Sequence, residues 1–246
     1  MEVQRVGVMG AGVMGSGIAQ SIATAGIETV GYDISSEQLD RARRTTVEGR
    51  YGIDRGVERG KLTEEQGARA KQLLTFTGDL DTAVRGADLV IEAVDEDMGL
   101  KVRVFRQLDE LTPEHAILAT NSSGHPVAAL AAVTQRPASV IGWHWASPPP
   151  VRPFAEIVVH DRVSDHTRDT VVELARRCGK NPIVVRENDR KWGYAMNRVL
   201  WAAIDEARQV VAEELCTAEE LDQLMVDCLD WPVGPFVMLD GASRGW

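Results

Sequence analysis

Cysteine is scarce. The 246 residues include only Cys178, Cys216 and Cys228, and no two of them form a C-x-x-C pair. An odd, scattered set excludes a disulfide framework and a cysteine-built zinc site. Three reduced structural thiols and no metal are expected. Long apolar runs are missing too. No stretch of 18 apolar residues occurs, and a membrane-crossing helix needs about 20. The apolar run near the start is broken by glycines and has no cluster of positive charge before it, so it does not read as a signal peptide. We expect no membrane partner and a cytoplasmic location. Positive charge is in deficit: 27 Lys and Arg against 37 Asp and Glu leave a net charge of −10. A binder of phosphate backbones carries a positive face. No nucleic-acid partner is expected, and the acidic balance reads as a solubility feature. Internal repeats and low-complexity segments are absent.

What is present is an ordinary globular composition, 44% hydrophobic and 26% charged. A chain this long buries a substantial core without staples. Its first half alternates short β-branched runs with amphipathic stretches. Residues 5–9 read as a strand, 10–15 as a glycine-rich turn, and Ile18, Ala19, Ile22 and Ala23 mark a helix that stops at Gly26. Residues 29–33 are a second strand, and Ser35 with Gln38 opens the next helix. Residues 36–73 are polar and helical, with a second capping box at Thr63 and Gln66, and are expected to project as a helical hairpin. Further strands are predicted at 74–77, 87–93, 116–120, 140–145, 155–160 and 182–186. Such alternation implies an α/β fold with a mostly parallel, doubly wound sheet. Pro148, Pro149, Pro150 and Pro153 make a stiff loop between two of the strands. After Arg186 the pattern turns helical, with one long apolar face from Met196 to Val211 and a cap at Thr217 and Glu220. Two domains are expected, 1–186 and a small all-helical 187–246.

Gly10-Ala11-Gly12-Val13-Met14-Gly15 is a G-x-G-x-x-G. Alone it is weak. Here it follows a strand, opens a helix, and is followed eighteen residues after Gly15 by Asp33 at the end of the next strand. Gly10 permits the tight turn, Gly12 lets backbone approach a pyrophosphate, and Gly15 lets helix pack on strand. Val13 and Met14 sit at the helix N-terminus, whose N–H groups and dipole favour phosphate. Asp33 accepts hydrogen bonds from ribose hydroxyls and repels a 2′-phosphate, which favours NAD over NADP. The context reads as a Rossmann-type dinucleotide site.

Three later segments stand out: Asn121-Ser122-Ser123, Gly142-Trp143-His144-Trp145 leading to Glu156, and Gly193-Tyr194-Ala195-Met196-Asn197-Arg198. Oxidising a secondary alcohol needs a base for the hydroxyl proton while hydride leaves. Histidine titrates near neutrality and suits that task. His144 ends a strand, where doubly wound sheets place ligands. Glu156, after the proline loop, fixes the tautomer if it bonds the other imidazole nitrogen. Together with the glycine motif and with Glu92-Ala93 ahead of Glu96 and Lys101, the chain resembles the 3-hydroxyacyl-CoA dehydrogenase family over nearly its whole length. The resemblance implies an NAD-dependent oxidoreductase of fatty acid metabolism acting on an L-3-hydroxyacyl-CoA. It implies His144 as acid/base with Glu156 as its partner, Ser123 bonding substrate and cofactor, and Asn197 bonding the substrate carbonyl. It places Glu96 and Lys101 near the nicotinamide and gives Ser147 a cofactor position. Read without the resemblance, Ser123 is equally a helix N-cap, Asn197 equally a helix–helix bond, and Glu96 and Lys101 look like an exposed helix start. His115, His125, His160 and His166 read as surface residues.

The chain departs from the family in four places. Ser147 stands where an asparagine is usual. Gly49 and Gly56 stand in the hairpin where CoA-binding members carry polar and basic contacts. The prolines before Glu156 are similar to those of the gulonate and carnitine dehydrogenase branch, whose substrates are free acids, and Arg152 in that loop either faces a carboxylate or points to solvent. Finally, Gly234-Pro235-Phe236 resembles a family segment, yet the chain stops at Trp246, which leads us to expect a shortened helical domain. A homodimer is expected from the apolar face so exposed. Three readings stay open: an acyl-CoA dehydrogenase, a dehydrogenase of a free or carrier-bound 3-hydroxy acid, and a non-catalytic NAD-binding relative.

Overall fold

The computed structural model describes residues 2–187 and 191–244, the last four as backbone. The chain divides into two compact units, Met1–Asp189 and Arg190–Trp246. The first runs β1 (Arg5–Met9), α1 (Val13–Thr24), β2 (Glu28–Tyr32), α2 (Ser36–Glu48), α3 (Ile53–Glu58), α4 (Glu64–Leu73), β3 (Leu74–Thr77), α5 (Leu80–Val84), β4 (Leu89–Glu92), α6 (Met98–Leu111), β5 (Ile117–Thr120), α7 (Val127–Ala131), β6 (Val140–Trp145), β7 (Phe154–Val159), α8 (Asp165–Arg177) and β8 (Asn181–Arg186). The sheet order is β3-β2-β1-β4-β5-β6-β7-β8. The chain therefore leaves β1 toward one edge and returns to β4 on its other side. That reversal opens a crevice at the C-terminal ends of β1 and β4, where ligands bind in open α/β sheets.

Every neighbouring pair is parallel except β6 and β7. The exception follows from chain length. A parallel return needs a crossover of a dozen or more residues, and only residues 146–153, the proline loop, join β6 to β7. The strand must fold straight back. Central β4 and β5 are buried along their whole length, as both-face coverage requires. Each ends on a buried polar residue, Glu92 and Thr120.

A hydrophobic core lies between the sheet and helices α1 and α8. Ile18 and Ile22 of α1 and Val171 and Leu174 of α8 pack with Val6, Val8, Trp143 and Trp145. Burying each such aliphatic side chain stabilises by about 1.5–3 kcal/mol. Helix α1 ends at Thr24 with Ala25 as its cap, and Gly26 takes φ +84°, the left-handed turn its sequence announced. The expected hairpin is three helices rather than two, and α2 and α4 pack against α1. Gly49 leaves helical backbone at ψ 170°, and Thr63 and Gln66 restart it at α4 with both arms of a capping box. Short α5 and α7, five residues each, fall below the length at which a periodic apolar face is readable. His160 corrects the surface expectation. It is buried, donates from Nε2 to the Val140 carbonyl at 3.0 Å, and accepts at Nδ1 from the Arg162 N–H.

The second unit holds α9 (Ala195–Ala212), α10 (Ala218–Leu229) and α11 (Pro235–Arg244). Thr217 and Glu220 form the expected capping box. Asp222 on α10 accepts from the N–H groups of Phe236 and Val237 at 2.8 and 3.0 Å, so a carboxylate caps α11 at its positive end. Among the described residues no strand follows β8, and no helix is long and apolar enough to cross a membrane.

Candidate active site

The glycine turn lies at the β1 end of the crevice. Gly10 has φ +95°, and a Cβ there would meet the Ala93 carbonyl oxygen at 2.6 Å. A Cβ on Gly15 would lie 1.8 Å from the Gly10 carbonyl oxygen. Neither position admits a side chain. Gly12 is different: nothing lies within 4 Å of the Cβ it lacks, so its open side faces space. Gly12 also caps α1 without a side-chain hydrogen bond, and Val13 and Met14 follow it in the first turn. The first N–H groups of a helix have no intrahelical partner. An uncapped helix start beside open space accommodates a pyrophosphate.

Asp33 sits at the end of β2. Its Oδ2 accepts from the Ala11 N–H at 2.8 Å and its Oδ1 from the Ser35 N–H at 2.9 Å. These bonds tie the carboxylate to the glycine turn and leave one lone pair on each oxygen for ribose hydroxyls. Val13 and Ile34 flank the turn and are 67% and 89% exposed, two apolar side chains left in solvent where an adenosine would cover them. The residues present fit a dinucleotide.

A second cluster closes the ends of β4 and β5. The Lys101 ammonium, on α6, is 1% exposed and donates to Glu92 Oε1 at 2.7 Å while lying 3.1 Å from Glu96 Oε2. It is a buried bridge between two carboxylates, not the exposed helix residue its sequence suggests. Glu92 also accepts from the Val94 N–H at 2.9 Å and from the Thr120 hydroxyl at 2.6 Å. Burial pushes its carboxyl up, and three donors oppose that shift. Glu96 Oε1 accepts from the Ser122 hydroxyl at 2.6 Å and the Ser123 N–H at 2.8 Å. Burial raises the Glu96 carboxyl too, but the Ser122 hydroxyl, Lys101 and the Ser123 N–H outweigh it, and the group titrates below its ordinary value. Ser122 was missed by sequence reasoning as a contributor. Its Oγ in turn accepts from the N–H groups of Gly124 and His125 and so shapes the turn after Ser123.

The third element is the antiparallel pair. His144 of β6 stands directly opposite Glu156 of β7. Directly opposed residues share a face of the sheet. Nδ1 of His144 lies 2.8 Å from Glu156 Oε2, and the two side chains are only 6% and 4% exposed. A carboxylate accepts, so Nδ1 carries the hydrogen and Nε2 is the basic nitrogen. The Phe154 ring meets the imidazole edge-on at 5.3 Å. Asn121 Oδ1 accepts from the Trp145 N–H at 3.0 Å and pins the end of β6 to the end of β5.

Lys180, just before β8, anchors the proline loop. Its ammonium donates to the carbonyls of Pro149 and Arg152 at 2.6 and 2.9 Å and lies 5.0 Å from the Trp145 ring centroid. Burial lowers its ordinary value, only partly offset by Cys178. No periodic pattern marks such a residue. Ser147 lies in this loop, half-buried. Asn197 belongs to the second unit. It is buried in the first turn of α9, and Gly193 at φ +93° passes close to it, its absent Cβ 3.1 Å from the Asn197 Cβ.

The first unit thus brings together Gly10, Gly12, Gly15 and Asp33, then Glu96, Lys101 and Ser123, then His144 and Glu156. Comparison with known proteins identifies the family. Residues 5–188 match the 3-hydroxyacyl-CoA dehydrogenase NAD binding domain, and residues 193–245 match the C-terminal domain of the same family. The chain is 37% identical over 188 residues, 76% of its length, to the fatty acid oxidation complex subunit alpha of Shewanella amazonensis, and spans only 26% of that protein. It is 36% identical over 240 residues to the probable 3-hydroxybutyryl-CoA dehydrogenase of Bacillus subtilis, covering 98% of this chain and 81% of that one. The crystal structure of (S)-3-hydroxybutyryl-CoA dehydrogenase PaaH1 from Ralstonia eutropha superposes with a TM-score of 0.90 at 35% identity, over 96% of this chain and 81% of that one. Carrying both the NAD-binding and the C-terminal domain matches in order, the chain belongs to the 3-hydroxyacyl-CoA dehydrogenase family.

Proposed function

We propose that the chain interconverts an L-3-hydroxyacyl-CoA and the 3-ketoacyl-CoA, with His144 as the acid/base. The observation that carries this reading is the buried His144–Glu156 pair at 2.8 Å. NAD, when bound, supplies the hydride acceptor for oxidation and the donor for reduction. His144 Nε2 takes the proton of the 3-hydroxyl as the hydride leaves the same carbon, and returns it in the other direction. Glu156 holds Nδ1–H, sets the tautomer and stabilises the imidazolium that results. Ser123 bonds the substrate and the cofactor and orients the reacting carbon; the family resemblance gives Asn197 of the second unit a bond to the substrate carbonyl. Glu96 and Lys101 shape the nicotinamide end of the crevice. Gly10, Gly12 and Gly15 with the start of α1 hold the pyrophosphate, Asp33 holds the adenosine ribose, and Ser147 is a further contact from the proline loop.

Charge beside the proline loop favours a CoA carrier. A cavity of about 200 Å³ opens beside the proline loop, lined by Arg55, Arg59, Lys61 and Lys180 with Tyr51 and Pro150. Arg55 pairs with Glu58, while Arg59 and Lys61 are exposed cations at its mouth. Such a lining suits the phosphates of CoA and offsets the loss of side chains at Gly49 and Gly56. A free 3-hydroxy acid is the second reading, favoured by those same two glycines, which offer a carrier no side chain. We place the chain in the cytoplasm as a homodimer, supported by three free thiols and by Val199 and Trp201 of α9, 73% and 38% exposed. NADH absorbance followed with acetoacetyl-CoA and then with free 3-keto acids tests the reading. Turnover confined to free acids overturns the carrier, and tight NADH binding with no turnover on either overturns catalysis.

A further inference from the structure

We propose that Glu92 is a positioning residue for the reaction, acting through Lys101, Thr120 and Glu96 on the turn that carries Ser123. Burying a carboxylate is costly unless donors surround it, and a buried ion pair by itself is a weak source of stability. Glu92 is fully buried, and its three donors come from three different segments. Val94 lies in the loop leaving β4, Lys101 on α6, and Thr120 at the end of β5. Each segment carries a residue of the proposed site. Two routes run from Glu92 to the serine turn. In one, Lys101 spans 2.7 Å to Glu92 and 3.1 Å to Glu96, and Glu96 takes the Ser122 hydroxyl and the Ser123 N–H on a single oxygen. In the other, the Thr120 hydroxyl donates to Glu92 and accepts from the Ser122 N–H at 3.1 Å. Every link except the last is charge-assisted, the class that holds geometry most firmly. The Glu92 carboxylate works through these partners, while its backbone carbonyl, which the substitution below leaves in place, accepts from the Asn121 N–H at 2.8 Å. The carboxylate sets the turn's position.

The inference takes from the proposed function only that Ser123 contacts substrate. Glu92→Gln keeps the shape but places a neutral amide against the Lys101 ammonium. In the cofactor-free protein, hydrogen exchange of the amides at 122–125 accelerates, by about tenfold, while amides of β1 keep their protection. kcat/KM falls roughly ten- to a hundredfold, the scale of a misplaced contact, while NADH affinity falls by less, because the glycine turn and Asp33 are untouched and only the Glu96–Lys101 end beside the nicotinamide is disturbed. In a double-mutant cycle, Glu92→Gln costs little further in a Ser123→Ala background. Full additivity with Ser123→Ala, or unchanged exchange at 122–125, overturns the inference. If Ser123→Ala alone leaves turnover intact, the assignment of Ser123 fails, and the inference with it. If Glu92→Gln does not fold, Thr120→Val enters the same cycle, with non-additivity expected and additivity decisive against.

Discussion

Replacing Glu156 by Gln probes the pair at the centre of the site. The wild-type carboxylate lies 2.8 Å from Nδ1 with both side chains almost wholly buried. At that separation the charge centres of an imidazolium and a carboxylate are about 4 Å apart, worth at most about 4 kcal/mol at an effective dielectric of 20. Desolvation removes part of that, and a hydrogen bond to a charged group contributes about 1.5–3 kcal/mol net. Since about 1.4 kcal/mol is tenfold in rate, kcat should fall about 10- to 150-fold. The amide adds a second effect. Its NH₂ can donate to Nδ1, which leaves the hydrogen on Nε2 and makes the wrong nitrogen basic. The assay is NADH consumption with a 3-ketoacyl-CoA, beside a fluorescence titration of NADH binding. The expected result is a fall in kcat with NADH affinity retained. A kcat within twofold of wild type, or an equal loss of cofactor binding, refutes it.

Asp33→Ser, which removes the repulsion of a 2′-phosphate, should weaken NADH by about tenfold and narrow the preference over NADPH; retained discrimination in paired titrations contradicts the role given to Asp33. Asp88 titrates below its ordinary value, because the N–H groups of Gln4 and Arg5 and the His115 ring outweigh the upward push of burial. A depressed carboxylate stabilises above its unfolded pKa of about 3.9 and loses that contribution as pH falls through the lower folded value. Asp88→Asn should therefore cost about 1–2 kcal/mol in urea melts at neutral pH, with the gap closing below about pH 4; a gap independent of pH excludes the ionised bonds as its source. Burial pushes the Cys178 thiol up to about 12, whereas Cys228 is exposed. Alkylation of the native protein near pH 8, read by peptide mass, should modify Cys228 well before Cys178, and the reverse order would contradict the burial.

The elements that sequence reasoning recovered are those whose physics is local. A strand, a G-x-G-x-x-G and an acidic residue after the next strand occupy one short stretch, so Gly10 to Asp33 was legible as a unit. Thr63 with Gln66 and Thr217 with Glu220 were legible because a capping box closes within four residues. What escaped depends on tertiary neighbours. Lys101 looks like a solvated helix residue until β4 and β5 place Glu92 and Glu96 around it. Ser122, one residue from the serine that was chosen, matters because of a glutamate 26 positions away. His160 turned inward because β6 offers it a carbonyl. The opposition of His144 and Glu156 is a consequence of the short proline loop, which forces a single antiparallel pair into a parallel sheet.

In the proposed reaction His144 moves the proton while the glycine turn and Asp33 hold the cofactor. His144→Ala, compared with wild type for acetoacetyl-CoA reduction and for NADH binding on the same preparations, tests it most directly. Turnover is expected to fall by about a hundredfold or more with NADH affinity unchanged. Turnover that survives the substitution, or turnover and cofactor binding lost together, would contradict it.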